Sequence, residues 1–539
     1  MPSIIIIAAR RALRAVNALK RVLPSAMPIL LLWTFQTADA VQRAETGELA
    51  ENNRLVVCLP TGVDSFDPAN HRSRITQIVL KNIFDSLTSR DHSNRIVPQL
   101  AESWRLIDDT LWEFKLRSGV RFHDGHVLSA DDVRFSLNRV IHEGALDGRT
   151  SPRKSLLAPI TEVCVEDHLT VRIKTLYPWP SLPLILSLQE IVPAAYFQKV
   201  GLRGFESHPV GTGPFKFVRT NNGRIIVLGR FEDYYGGSPE RPPVQTAPLK
   251  QLVFKTIPSF PDQVAMLKTG RCDIIFNLPP TSVPILEMVP GLRVLKGPAT
   301  RSFFAEINCA RAPLSDRRVR QAFNYAVDMQ AFVRYKLQGH GKVLSTVLLP
   351  NAFGHDPRLQ PYPYDPAAAR QLLEAAAYPG DRPITIYCYQ EDLEFAHSIA
   401  LFLTKLGMRT RTVPQPAPRP RIIGKDAPWD IYVGSWGNST LDPAGILHPK
   451  FSSHGYGNYS RFASPDLDGL LQEARQSMDR KRRAALYHRI QAVLFDEAPM
   501  IFGYAQDEYF GVAGRVNNFT PSATGMMDMH DVYVDREVR

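Results

Sequence analysis

From Ile384 onward the chain alternates short apolar runs with a helix-patterned one: Ile384 to Tyr389, then Glu394 to Leu406 with helical spacing, then Arg409 to Val413 and Asp430 to Val433. Runs that short are strands, and a helix threaded between them predicts an α/β sheet. In open sheets of this type ligands bind beyond the carboxyl ends of the strands. That singles out Gln390 to Asp392, with Gln390 and Glu391 foremost, and Gly434 to Asp442. The same grammar opens the chain, where Leu55 to Leu59 reads as a buried strand, Pro60 to Asn70 as turns and Ile75 to Leu87 as a helix.

Elsewhere local signals place further elements. Trp112, Phe114 and Leu116 alternate along Leu111 to Leu116, and Val120 to Phe122 resumes after Ser118-Gly119, which predicts a hairpin. Asp124-Gly125 makes another turn. Ser129 with Asp132 three residues on is a capping-box pattern for a helix striped by Val133, Leu137 and Val140. Ser315 is expected to cap a helix burying Val319, Ala322, Phe323, Ala326 and Val327, and Asp365-Pro366 to open one that stops at Pro379-Gly380. Two more helices are read at Ser464 to Ser477 and Arg480 to Phe495, and Pro414 to Pro420 as a surface loop.

A chain of 539 residues, 44% hydrophobic, has length for two or more domains. Its formal charge of +11 is partly local: Arg10, Arg11, Arg14, Lys20 and Arg21 face a lone Asp39 in the first forty residues. The basic stretch is followed by an apolar run, Met27 to Phe35, and by Ala38-Asp39-Ala40, so residues 1–40 read as a secretory signal. The run is about half the ~20 residues that cross a bilayer. The five cysteines, Cys58, Cys164, Cys272, Cys309 and Cys388, are scattered without a C-x-x-C pair, and no disulfide or metal site is assigned to them.

Catalytic signatures such as G-x-S-x-G, H-E-x-x-H and the phosphate-loop lysine are absent from the sequence. Gly211-Thr212-Gly213-Pro214 has no following lysine and reads as a tight structural turn. His123 and His126 lie in a turn with no third ligand nearby. Arg480 to Arg483 is a solvated helix start rather than a nucleic-acid surface, which would interleave bases with exposed aromatics. No catalytic residue, metal ligand, cofactor or nucleic-acid partner is expected.

Several segments at fixed spacing then resemble one family. They are Leu100 to Trp104, Arg117 to Gly125, Ser129 to Val133, Pro209 to Phe215, Tyr234 to Gly237, Leu267 to Ile274 and Pro313 to Ala322. Together they resemble the family 5 extracellular solute-binding proteins of peptide-type ABC importers, which include oligopeptide, dipeptide, glutathione and nickel receptors. The resemblance implies a type II (cluster C) two-lobed α/β periplasmic binding protein with an extra subdomain on the first lobe. Lobe one would hold 41–95, 206–305 and 501–539, the subdomain 96–205 and lobe two 306–500. It implies a monomer that captures a peptide-like solute and delivers it to an inner-membrane permease with its ATPase subunits.

In relatives that bind free peptide amino termini the resemblance places an aspartate three residues after a tryptophan, and here Ser439 follows Trp436 at that spacing. Trp436 is then expected as an apolar wall, Asn438, Ser439 and Thr440 as hydrogen-bond partners, and Asp442 either as a compensating charge or as the cap of its own turn. From the opposite lobe His71, Arg72 and Ser73 are expected to face the solute, Arg72 taking a carboxylate. Gln390-Glu391-Asp392 is acidic where dipeptide receptors place an arginine. Glutathione or a modified peptide is the expected solute; a nickel or metallophore receptor and a secreted peptide hydrolase are the alternatives.

Overall fold

The computed structural model describes residues 53–91, 93–238, 246–415 and 428–535. The expected signal segment and residues 416–420 of the proline-rich stretch lie outside them. Two large sheets organise the chain. The first runs in the order Leu292–Gly297, Glu508–Ala513, Ile274–Ile275, Arg54–Leu59, Gln251–Thr256, Ile225–Arg230, Phe215–Asn221. The second runs Gly341–Val343, Met500–Gln506, Arg301–Ile307, Ile431–Gly437, Ile384–Tyr389, Thr410–Gln415. Each is parallel in part: Arg54–Leu59 runs parallel to Gln251–Thr256, and Ile384–Tyr389 to Thr410–Gln415, where the helix Leu393–Lys405 returns the chain. The α/β sheet expected from the strand–helix alternation and the two-lobed architecture implied by the family resemblance are therefore present.

The chain passes between the two sheets at 298–300 and again at Asp507. The strands Arg301–Ile307 and Met500–Gln506 both belong to the second sheet, so the expected lobe limits at 305/306 and 500/501 fall inside strands. Ion pairs bracket the crossings. Lys296 Nζ lies 2.6 Å from Asp507 Oδ2, and Arg74 forks onto Glu508 with both contacts at 2.6 Å while donating to Thr300 Oγ1 at 2.9 Å.

A separate four-stranded antiparallel sheet, Ala101–Asp108, Leu111–Leu116, Thr170–Thr175 and Ile160–Asp167, packs on the helix Ala130–Ile141 around Trp112, Phe114, Val133, Leu137 and Ile173. The capping box holds: Asp132 accepts from the Ser129 N–H at 2.9 Å and from its hydroxyl at 2.8 Å. The buried Arg139–Asp67 pair, at 2.9 and 2.5 Å, ties this helix to the loop that leads into the cleft.

Three local expectations change. Leu111–Leu116 pairs with the strands on either side of it rather than with Val120 to Phe122, which instead bends at Asp124-Gly125 so that Arg121 bridges Val127. Two full alternating neighbours bury that strand's aromatic face better than a three-residue partner. The helix begun at Arg74 ends at Leu80, because the carbonyls of Asn82 and Ile83 are taken by the N–H groups of Phe215 and Gly213, at 3.0 and 2.9 Å. The cap expected at Ser315 falls to Asp316, whose carboxylate accepts from the Arg318 N–H at 2.8 Å.

The turn Gly211 to Pro214 lies against that same backbone, and a Cβ on Gly213 would sit 2.6 Å from the Ile83 carbonyl carbon. His123 packs on it, Nε2 2.9 Å from Gly213 O and Nδ1 accepting from Gly211 N–H at 3.3 Å. His126 points instead to Asp132, 3.3 Å away. The two imidazoles serve different partners.

Beneath the second sheet's cleft-facing end, Lys450 and Glu306 form a pair at 2.5 Å, each side chain 1% exposed, and the rings of Phe304, Trp436 and Tyr459 surround the ammonium. Burial raises the Glu306 carboxyl above its ordinary value. Lys450→Met strands that carboxylate and is expected to destabilise the protein by about 3–5 kcal/mol in urea denaturation followed by circular dichroism. Adding Glu306→Gln should recover most of the loss. A single variant as stable as the parent would contradict this reading.

Candidate functional site

A cavity of about 660 Å³ lies between the sheets, in the size range of small-molecule sites, roughly 300–1,000 Å³. It is lined from the first lobe by His71, Arg72, Ser73 and Arg74, from the subdomain by Arg153, Ser155, Trp179 and Ser181, and from the second lobe by Trp436 to Thr440, Asp442, His448, Tyr456 and Arg475. Eight of the ten residues singled out in the sequence therefore surround one space. Gln390 and Glu391 do not. They are exposed, and with Lys336, Glu394 and His397 they edge a separate depression on the outer surface. The strand Ile384–Tyr389 stops beside the middle of Ile431–Gly437, which alone runs on to the cleft next to Arg301–Ile307. Position in the sheet, not the carboxyl end of a strand by itself, decides which loop meets the cavity.

The loop from Trp436 to Gly445 is shaped by its own side chains. Trp436 donates from Nε1 to Gly445 O at 3.0 Å, which fixes the ring as a wall. Asn438 donates to Asp442 O at 2.8 Å and accepts from the Thr440 hydroxyl at 2.6 Å; that hydroxyl in turn accepts from Asp442 N–H at 3.1 Å. Within this knot Leu441 adopts φ +55, a left-handed conformation costly for a residue with a Cβ. Asn438 and Thr440 thus shape the loop as well as lining the cavity beside Ser439.

Asp442 takes the second of its two expected roles. It caps the turn Pro443–Gly445 by accepting from Ala444 N–H at 3.0 Å, and it is paired with Arg483, both carboxylate oxygens lying 2.7 Å from Nη2. Its Oδ2 also accepts from Ser181 Oγ, 2.8 Å away on the opposite side of the cleft. Arg90, half-buried on the first-lobe side, donates to Ser439 O at 2.7 Å. Burial pushes the Arg90 guanidinium down to about 10, which leaves it charged at neutral pH. Arg475 stacks 4.4 Å over the Tyr177 ring. The lobes are thus bonded to one another across the cavity rim.

On the first-lobe wall Ser73 is the N-cap of Arg74–Leu80, its hydroxyl accepting from Thr76 N–H. Arg72 is exposed and donates to Ser155 Oγ at 3.0 Å. His71 is buried and accepts at Nε2 from Arg153 at 3.0 Å, while Nδ1 has no hydrogen-bond partner among the described residues. Arg153 also donates to Gln77 Oε1 at 2.9 Å and Gln189 Oε1 at 3.0 Å. Sequence reasoning missed Arg153, Arg301 and Arg475, which lie far along the chain from the loops it chose, and Arg74, the residue next to Ser73. Among the described residues no group of three or more His, Cys, Asp or Glu is placed to hold a metal ion.

The profile described as bacterial extracellular solute-binding proteins, family 5 Middle, matches residues 95–458. Among curated proteins the chain is 28% identical to Heme-binding protein A of Haemophilus influenzae over 525 residues, 90% of this chain and 93% of that one. It is 27% identical to the glutathione-binding protein GsiB of Pectobacterium atrosepticum over 467 residues, 83% and 87% of the two chains. Among solved structures, HbpA2 from Haemophilus parasuis superposes with a TM-score of 0.79 at 23% identity, over 90% of this chain and 100% of that one.

Burial, followed by the Arg153 charge, lowers His71 from 6.5 to about 3. Between those values the unfolded chain binds a proton that the folded chain refuses, so this part of the stability is complete above pH 6.5 and is lost as pH falls toward 3. His71→Gln, which can still accept from Arg153, should flatten the acid limb by up to ~1.4 kcal/mol per pH unit in that window. Urea midpoints measured from pH 4 to pH 7 check it, and parallel curves for parent and variant would refute it.

Proposed function

The chain belongs to the bacterial extracellular solute-binding proteins of family 5, and from that premise we propose that it is the periplasmic receptor of an ABC importer. In this reading it is exported, acts as a monomer, captures a peptide-class solute and passes it to an inner-membrane permease with its ATPase subunits. The observation that carries the proposal is the cavity walled by both lobes whose rim is closed by direct bonds, Asp442 to Ser181 and Arg90 to the Ser439 carbonyl. A solute touching both walls lowers the free energy of the shut arrangement relative to the open one, and the shut form is what a permease would read.

The side chains in the cavity support capture without turnover. Ser73 caps a helix, Ser155 accepts from Arg72, and Ser181 is engaged by Asp442 and Arg483. His71 and His448 each have a ring nitrogen against an arginine, Arg153 and Arg475, so neither acts as base to a serine. Glutathione or a modified peptide stays the preferred solute, in line with the glutathione-binding relatives. A second reading, a receptor for nickel or a metallophore, draws on His71, His448 and His454 in the lining. Since the described residues offer no three-ligand group, such a metal would arrive already chelated.

Isothermal titration with glutathione and small peptides, paired with mass spectrometry of the recovered solute, tests the proposal. One intact solute per chain is expected. At a solute concentration of 100 times Kd the apparent stability should rise by about 2.7 kcal/mol. Release of a cleaved product would establish an enzyme and end the receptor reading.

A further inference from the structure

The charge of the cavity is one-sided. Arg72, Arg74, Arg153, Arg301 and Arg475 line it, whereas Asp442 is the one carboxylate residue among the described lining residues. That carboxylate is already engaged: Oδ1 takes Arg483 and Ala444 N–H, and Oδ2 takes Arg483 and Ser181. Of the arginines, Arg74 is matched by Glu508. Arg72 and Arg475 have no carboxylate partner among the described residues. The first donates to a serine hydroxyl at 3.0 Å; the second meets His448 Nε2 at 3.2 Å and the Tyr177 ring. Burial lowers the Arg475 guanidinium below its ordinary value, so its charge is held at a cost that an arriving anion would offset.

An ammonium group has the opposite prospects. Asp442, the one carboxylate that could pair with it, is committed as above, and the Nε2 atoms of His71 and His448 already face Arg153 and Arg475. Nearby guanidinium groups repel it at short range. We propose that the solute is an anion whose carboxylates meet Arg72 and Arg475 and that it brings no unmasked ammonium group into the cavity. This rests on the receptor reading and narrows its solute to the modified peptide: glutathione, whose γ-glutamyl residue keeps a free ammonium group, falls outside it. Arg72 projects from the first lobe and Arg475 from the second, so a solute with two separated carboxylates also draws the lobes together.

Titration of the purified protein with three dipeptides tests it: N-acetyl-aspartyl-glutamate, the same dipeptide with a free amino terminus, and lysyl-lysine. The acetylated peptide is expected to bind roughly tenfold or more tighter than its free-amino form, and lysyl-lysine not at all. Its affinity should fall as salt is raised, and Arg72→Gln and Arg475→Gln should each weaken it by roughly tenfold. Ser439→Asp, which adds a carboxylate to the lining, should narrow or invert the preference between the acetylated and free forms. Equal or tighter binding of the free-amino or lysine peptide overturns the inference while leaving the receptor standing. Binding of none of the three overturns this inference, and the receptor reading is decided separately by the titration with glutathione and other small peptides.

Discussion

One carboxylate sits where three parts of the molecule meet. Asp442 caps its own turn, pairs with Arg483 on the long helix Arg480–Glu497 and accepts from Ser181 of the subdomain. The two lobes are joined covalently at residues 298–300 and at Asp507, so the shut geometry depends on noncovalent contacts at the far rim. Asp442 and Arg483 are nearly excluded from water, with side chains 5% and 9% exposed. A desolvated pair of this kind is tightly constrained, because loss of either member leaves an uncompensated charge in place. Arg90 adds a second link of the same sort, aimed at the carbonyl of Ser439 rather than at a charge. Opening the cleft therefore requires these groups to find other partners or water, and a solute shifts the balance by contacting both walls.

In the same loop, several polar groups that line the cavity are bonded to one another. Asn438, Thr440 and Asp442 hold a turn that contains a left-handed Leu441, and Trp436 is fixed by its own N–H to Gly445 O. The loop is rigid because its side chains are occupied within it. On the proposed reading, discrimination falls to Ser439 of this loop and to the arginines that reach in from the opposing walls.

Much of the scaffold was legible along the chain because its signals are local. The Ser129–Asp132 box, the Asp365-Pro366 helix start and the strand read at Asp430 to Val433, which runs on to Gly437, are set by spacing and capping within a few residues. The premature end of Arg74–Leu80 was not legible, since it follows from Phe215 and Gly213 claiming carbonyls some 130 residues away in the sequence. The cavity shows the same division. Gly434 to Asp442 was found from the rule that ligands sit beyond strand ends, whereas Gln390 and Glu391 obeyed that rule and still faced outward, because strand order is a tertiary property. Arg90, Arg153 and Arg475 gave no local sign; their roles exist only once distant segments are brought together.

The central claim is mechanical: solute held between the lobes favours the shut arrangement. Small-angle X-ray scattering of the protein freed of solute and again at saturation tests it most directly. The account predicts a smaller radius of gyration at saturation, with a profile matching the shut structure described here and a more open one without solute. Identical profiles in the two conditions, with binding confirmed in the same sample, would contradict it.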